Sequence, residues 1–147
     1  MATIRKGPEG VADGRVASPQ RVTDGPRLPE FHAKTTLIGR DVALVAVAGE
    51  LDLYTAGEFA EALNEAIATE PGTVVVDLSA ATFVDSTALG TLVHRAKLLG
   101  SSGRLAIVAT DPQIRRVFDV TGLSHVYPTY GSVELALAGL VPEAERV

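Results

Sequence analysis

The period of the hydrophobic positions changes several times after residue 30, and each change predicts a new element. Two runs with a strand pattern, at residues 34–38 and 41–48, flank Gly39-Arg40, a pair suited to a type II′ turn, so together they predict a β-hairpin. In the second run apolar side chains fall on both faces, which is typical of a strand that is covered on both sides. The pattern therefore predicts two antiparallel strands, of which the second is central.

Helical and strand patterns then alternate along the rest of the chain. We predict helices at residues 55–68, 86–99 and 132–140, a further helix from Asp111-Pro112 to Gly122, and strands at residues 73–78, 104–109 and 125–127. Thr55 and Glu58 have the spacing of a capping box, and Asp111-Pro112 has the order of an N-cap and a first helical residue. This order predicts an α/β fold, with a mixed β-sheet, an N-terminal antiparallel hairpin, parallel crossovers and about four packed helices.

Composition divides the chain into one domain and two tails. Its 147 residues are about the length of a single domain. Residues 1–29 contain four of the eight prolines and almost no periodic apolar pattern, so we expect a disordered N-terminal tail there. The folded domain is expected at residues 30–141, followed by a short C-terminal tail at residues 142–147.

Charge and residue content exclude several classes of protein. The chain has no cysteine, which excludes disulfides and thiolate metal sites. Its formal net charge is −5 and it has no basic tract, so we expect no nucleic-acid partner. The longest apolar run, residues 42–48, is far shorter than the about 20 residues of a membrane helix. We expect a cytoplasmic protein, a monomer or weak dimer, with no membrane contact.

Three loops are expected to follow the carboxyl ends of the parallel strands, at residues 49–54, 79–86 and 110–112. Sites in such sheets gather outside these strand ends. The topology therefore places Asp52, Asp85 and Ser86 on one rim, although they are far apart in the sequence.

The residues of this rim do not form a catalytic set. None of the three histidines is predicted to lie beside Ser86, and the Gly-x-Ser-x-Gly motif is absent, which argues against a Ser-His-Asp hydrolase. The chain also lacks phosphate-binding glycine loops after its strands, and it lacks metal-ligand spacing. We therefore expect no enzymatic activity, no cofactor and no metal.

Two interpretations of Ser86 and of Asp52 remain open at this point. Ser86 lies in Asp85-Ser86-Thr87, which is an ordinary helix N-terminus, because these side chains accept orphan backbone N–H groups. It is also a possible phosphoacceptor, since a helix N-terminus can hold an anion. Asp52 is either a turn residue or part of a docking surface.

Several separated motifs resemble the STAS domain of bacterial anti-anti-sigma factors. They are Gly49-Glu50-Leu51-Asp52, Val76-Asp77-Leu78-Ser79, Phe83-Val84-Asp85-Ser86-Thr87-Ala88-Leu89-Gly90, and Pro112-Gln113-Ile114-Arg115-Arg116-Val117-Phe118 with Thr121-Gly122-Leu123. The resemblance extends over residues 31–140. It implies that Ser86 is the phosphorylated residue, with Asp52, Asp85 and Thr87 on the partner-binding rim. Ala88 stands where many members have glycine, and we expect it to alter how closely a partner approaches.

The resemblance implies a partner switch. The unphosphorylated protein would bind an anti-sigma factor that is also a serine kinase, and so release a sigma factor. Phosphorylation of Ser86 would end the interaction, and a serine phosphatase would reset it. Two alternatives remain, a scaffold subunit of a stress-signalling complex and a module that binds a small ligand or nucleotide.

Overall fold

The computed structural model describes residues 30–100 and 103–140. The predicted tails at residues 1–29 and 142–147 lie outside these residues. The strands are β1 (His32–Ile38), β2 (Val42–Leu51), β3 (Thr73–Val84), β4 (Arg104–Val108) and β5 (Thr129–Tyr130), and the α-helices are α1 (Ala56–Ala68), α2 (Ser86–Ala96), α3 (Pro112–Val120) and α4 (Val133–Leu140). Short 3-10 turns occupy Lys97–Leu99 and Leu123–His125.

The five strands form one sheet in the order β1-β2-β3-β4-β5. β1 pairs with β2 in the antiparallel sense, and each later strand is parallel to the strand before it. Each parallel pair is joined by a helix, as a parallel connection requires. The predicted fold class, a mixed sheet with an N-terminal hairpin and four helices, is confirmed.

Helices cover both faces of the sheet, but unequally. The larger cluster of buried side chains includes Val45, Val74 and Ile107 from the sheet, and Leu63, Leu92 and Phe118 from α1, α2 and α3. The smaller cluster lies on the other face, where Ala136 and Leu140 of α4 pack with Val75, Ala106 and Val108. Val42 and Leu44 are only half-buried there, so the second face of β2 is covered less completely than the first.

β2 and β3 are longer than their apolar runs predict. Residues 49–51 and 79–84, expected as loops, continue the two strands, with Glu50 opposite Phe83 and Leu51 opposite Val84. Most of the side chains at residues 79–84 are exposed. This part of β3 therefore lacks the continuous apolar run by which a buried strand is recognised in the sequence. The pairing with β2, rather than the local sequence, keeps this segment extended.

The turn expected at Gly39-Arg40 and the capping box expected at Thr55 both differ in the structure. Ile38 pairs with Val42, so residues 39–41 form a three-residue connection instead of a two-residue turn. Asp41 is held outside β2, since its carboxylate accepts a hydrogen bond of 2.8 Å from the Gly72 amide. The capping box is also wrong, because the side chain of Thr55 makes no cap bond to α1.

The C-terminal elements agree with the prediction except for the last strand. The Asp111 carboxylate accepts from the Gln113 amide at 2.8 Å and caps α3, with Pro112 in the first turn, as expected. The strand expected at residues 125–127 is wrong, because residues 123–125 form a 3-10 turn after Gly122 and β5 lies at Thr129–Tyr130. α2 ends at Ala96, earlier than expected, and continues as a 3-10 turn.

Candidate functional site

The ends of β2 and β3 bring two segments of the chain together. The Asp85 amide donates to the Leu51 carbonyl at 3.1 Å, just beyond the last residue pair of the two strands. The Leu53 amide donates to Oδ2 of Asp85 at 3.1 Å. We call residues 52–55 and 85–87 the rim. It contains all four predicted site residues, Asp52, Asp85, Ser86 and Thr87.

Asp85 is the N-cap residue of α2. Its backbone is extended, with φ −111° and ψ 179°, which directs the side chain back over the first turn of the helix. Oδ1 accepts from the Ala88 amide at 3.0 Å. An aspartate at this position satisfies one of the four orphan N–H groups of the helix. Its negative charge also interacts favourably with the positive end of the helix dipole. The local sequence therefore starts the helix at Ser86.

Ser86 and Thr87 are the first two residues of α2, and both are exposed. Because Asp85 provides the N-cap of α2, Ser86 does not serve as its capping residue. Its side chain is open to solvent, one position after the capping Asp85. The hydroxyl of Ser86 is therefore accessible from outside the domain, on a backbone that belongs to the first turn of a capped helix.

Asp52 organises the loop between β2 and α1. Its Oδ1 accepts from the Tyr54 amide at 2.9 Å and from the Thr55 amide at 3.2 Å. The Thr55 hydroxyl accepts from the Asp52 amide at 2.9 Å and donates to the Glu50 carbonyl at 2.8 Å. The Thr55 side chain is engaged in this loop, which explains the missing capping box. The turn chemistry expected of Asp52 is confirmed.

Three large apolar side chains lie exposed at this end of the sheet. Leu53 is 61% exposed, Tyr54 is 90% exposed and Phe83 is 48% exposed. Phe83 is paired with Glu50, next to the buried Val84, so it projects from the opposite face of β3. Sequence reasoning missed these residues. The available signal was a Leu-Tyr pair in a loop, outside the helical apolar stripe.

The third predicted loop does not join the rim. Val108, the last residue of β4, pairs with Asp77, eight positions before Asp85. The loop after β4 therefore leaves the sheet well short of the ends of β2 and β3. The loop at residues 110–112 therefore does not contribute to the rim of Asp52, Asp85 and Ser86, because β3 continues to Val84 while β4 ends at Val108.

The side chain of Ala88 faces the interior of the domain. Its side chain is 1% exposed and belongs to the larger buried cluster. The expectation that Ala88 alters the approach of a partner is therefore wrong, since the methyl group packs inward. It fills space beneath the rim.

Other chemical features of the described residues lie away from Ser86. A cavity of about 430 Å³ opens at the amino ends of β4 and β5, lined by Arg104, Tyr127 and Leu140 among others. Burial raises the pKa of the Tyr127 phenol above its ordinary value of 10.0. Within residues 30–100 and 103–140, no group of three His, Cys, Asp or Glu side chains could hold a metal ion. No helix in the same ranges is long and apolar enough to cross a bilayer.

Comparison of the sequence with known proteins gives consistent results. The STAS domain family matches residues 34–136. The anti-sigma-F factor antagonist RsfB of Mycobacterium tuberculosis is 33% identical over 112 residues, which cover 76% of this chain and 92% of that protein. The anti-sigma-B factor antagonist of Staphylococcus epidermidis is 37% identical over 89 residues, covering 60% of this chain and 82% of that protein.

Solved structures give the same result. The crystal structure of an anti-sigma factor antagonist from Mycobacterium paratuberculosis has a TM-score of 0.71 and 31% identity, covering 76% of this chain and 94% of that one. The Bacillus cell fate determinant SpoIIAA in its phosphorylated form shares the fold, with a TM-score of 0.59, 21% identity, and coverage of 75% of this chain and 100% of that one. The chain belongs to the STAS domain family, and its relatives in that family are anti-sigma factor antagonists.

Proposed function

We propose that this protein is an anti-sigma factor antagonist controlled by phosphorylation of Ser86. In its unphosphorylated form it binds an anti-sigma factor that is also a serine kinase, and this binding releases a sigma factor. The observation that carries the proposal is the exposed Ser86 in the first turn of α2, directly after the capping Asp85. The relative from Mycobacterium tuberculosis, 33% identical, is named as an antagonist of an anti-sigma factor.

The rim offers a partner both charge and apolar area. Asp52 and Asp85 provide carboxylates, and Thr87 provides a second exposed hydroxyl. Leu53 and Tyr54 add exposed apolar side chains in the same loop as Asp52. Interfaces are rich in aromatic anchors surrounded by polar groups. The rim therefore suits a protein partner better than a small molecule.

The phosphoryl transfer is chemistry of the partner. The Ser86 oxygen attacks the γ-phosphorus of ATP, the bond to the bridging oxygen of ADP breaks, and the serine proton passes to a base of the kinase. The carboxylate of Asp85 instead has a structural role, because each of its oxygens accepts a backbone N–H bond. A kinase that supplies ATP, metal and base needs only a reachable hydroxyl from this chain.

The product of this transfer weakens the complex that made it. A phosphate on Ser86 adds a charge of about −1.5 to −2 beside Asp85. In the kinase site it faces the phosphates of ADP, which have the same sign of charge. The helix N-terminus accommodates the phosphate in the free protein. Phosphorylation therefore favours dissociation without unfolding the domain, and a serine phosphatase restores the binding form.

Isothermal titration against the anti-sigma kinases encoded in the same genome tests the proposal. Ser86→Ala should bind as wild type does and should keep its unfolding midpoint, because Asp85 provides the cap. Ser86→Asp should bind at least about tenfold more weakly, the equivalent of about 1.4 kcal/mol. Gln113→Asp is the matched control, since it adds the same charge to the first turn of the other aspartate-capped helix.

Incubation with kinase and ATP, followed by mass spectrometry, identifies the modified residue. We expect phosphate on Ser86 in the wild type and in Thr87→Ala, and none in Ser86→Ala. Equal affinity of wild type, Ser86→Ala and Ser86→Asp would contradict the switch. Tight binding of a partner without any phosphorylation would instead support a scaffold subunit.

A further inference from the structure

The carboxylate of Asp85 connects the two segments of the rim. Oδ1 accepts from the Ala88 amide at 3.0 Å, and Oδ2 accepts from the Leu53 amide at 3.1 Å. One side chain therefore fixes both the first turn of α2 and the segment that contains Leu53 and Tyr54. These two residues are 61% and 90% exposed, so little else packs around their side chains.

Capping alone does not require this arrangement. Asp111 is the N-cap of α3, and its Oδ1 accepts from the Gln113 amide at 2.8 Å within its own helix. One carboxylate oxygen is enough for a cap. The second oxygen of Asp85 instead reaches a loop that is 32 positions away in the sequence. This bond reaches no residue of α2, and it positions the backbone of Leu53.

We propose that Asp85 is a positioning residue that holds the Leu53–Tyr54 segment against α2, and that a phosphate on Ser86 weakens this hold. The second part rests on the proposed function, in which Ser86 is the phosphorylated residue. The switch then has two components. The phosphate repels the partner directly, and it also loosens an apolar segment that the partner contacts.

Two effects of the phosphate act on Asp85. Ser86 is the first residue of α2, so its phosphate can reach the N–H groups of the first turn and compete for the Ala88 amide. The phosphate also places like charge directly beside the carboxylate. Without its cap bond and under this repulsion, the Asp85 side chain leaves its position and the bond to Leu53 weakens. A partner must then order that segment again, which lowers its affinity.

Amide hydrogen exchange of the full-length free protein tests the first part. Asp85→Ser keeps a good N-cap but lacks the second oxygen that accepts from Leu53. We expect the Leu53 amide to exchange about tenfold faster in this variant, because it loses a hydrogen bond to a charged acceptor. The matched control, Asp111→Ser, makes the same replacement at an N-cap in α3 and should leave Leu53 unchanged.

The Tyr54 amide distinguishes a local effect from general loosening. It donates to Asp52 rather than to Asp85, so its exchange should change much less than that of Leu53. Unchanged exchange of Leu53 in Asp85→Ser would overturn the positioning role. Equal acceleration at Leu53 and at core amides such as Val76 would overturn it too, since the variant would then act through overall stability.

Phosphoserine incorporated at position 86 during synthesis tests the second part without any kinase. Exchange at Leu53 should become about fivefold faster, while exchange at Gln113 stays the same. Unchanged or slower exchange at Leu53, together with lost partner binding, would overturn the coupling and leave the proposed function intact. Faster exchange at Leu53 with undiminished partner binding would overturn the proposed function and leave the coupling intact.

Discussion

Asp85 and Ser86 have different positions at the start of α2, although their residue types alone do not distinguish them. Asp85, Ser86 and Thr87 are all residue types that favour a helix start. In the structure only Asp85 caps α2, because its extended backbone places the carboxylate beside the Ala88 amide. Ser86 follows as the first helical residue and remains exposed. The two interpretations of this motif are thus compatible, since Asp85 provides the cap and the adjacent Ser86 keeps an exposed side chain.

Asp52 combines a turn with a position on the rim, and two substitutions separate these roles. Asp52→Asn keeps an oxygen that can accept from the Tyr54 and Thr55 amides, but it removes the charge. We expect it to retain the unfolding midpoint and to weaken binding of the anti-sigma partner. Asp52→Ala should show the same weakening and should also lose about 1 kcal/mol of unfolding free energy. Isothermal titration and urea denaturation measure the two effects.

The neutral variant decides between the two roles. If Asp52→Asn binds the anti-sigma partner with wild-type affinity, the charge of Asp52 has no role in binding and the residue acts only in the turn. A large loss of secondary structure in Asp52→Asn would show that the turn depends on the charge of Asp52 and not only on its accepting oxygen. Glu61→Gln is a suitable control, because it removes one carboxylate charge from an exposed position of α1.

At the scale of elements, the close approach of two segments requires a glycine at the end of β2. Gly49 has φ +93°, and a Cβ there would lie 3.0 Å from Cα of Phe31 and 3.2 Å from the carbonyl oxygen of Glu30. Both neighbours are backbone atoms that cannot rotate away. Glycine is the residue that accepts this conformation and this contact without strain.

Gly49→Ala should lower the free energy of unfolding by about 2 kcal/mol, since it adds both strain and overlap. Urea denaturation gives this value. The control is Gly57→Ala in α1, where a Cβ meets nothing within 4 Å and should leave stability unchanged or raise it by about 0.5–1 kcal/mol. Equal stability of the two variants would mean that Phe31 does not pack tightly on β2.

At the scale of the whole molecule, the proline-rich residues 1–29 have almost no periodic apolar pattern, so we expect them to contribute little to the core. Deleting residues 1–29 should therefore leave the thermal unfolding midpoint nearly unchanged. A deletion that also removes Phe31 and Ala33, which pack against the larger cluster, should lower the midpoint by several degrees. Differential scanning calorimetry of the two truncated chains measures the difference. A drop of several degrees in the shorter deletion would show that residues 1–29 stabilise the domain.

The sequence by itself determined the features that depend on local periodicity. Apolar spacing predicted the alternation of strands and helices, and with it the mixed sheet. Residue type predicted the cap and first-turn proline of α3, because these interactions stay within one turn. The motifs around Ser86 also predicted the family.

Only the tertiary structure decided the features that depend on pairing between distant segments. Residues 79–84 are a strand because β2 lies beside them, and the same pairing brings Leu53 within hydrogen-bond reach of Asp85. The loop after β4 does not reach the rim, because β3 continues to Val84, beyond Asp77, the partner of Val108. Strand lengths and registers follow from contacts between neighbouring strands, which no local pattern contains. For that reason the sequence predicted that Asp52, Asp85 and Ser86 lie on one rim but missed Leu53 and Tyr54, and the fold decided how the two segments are joined.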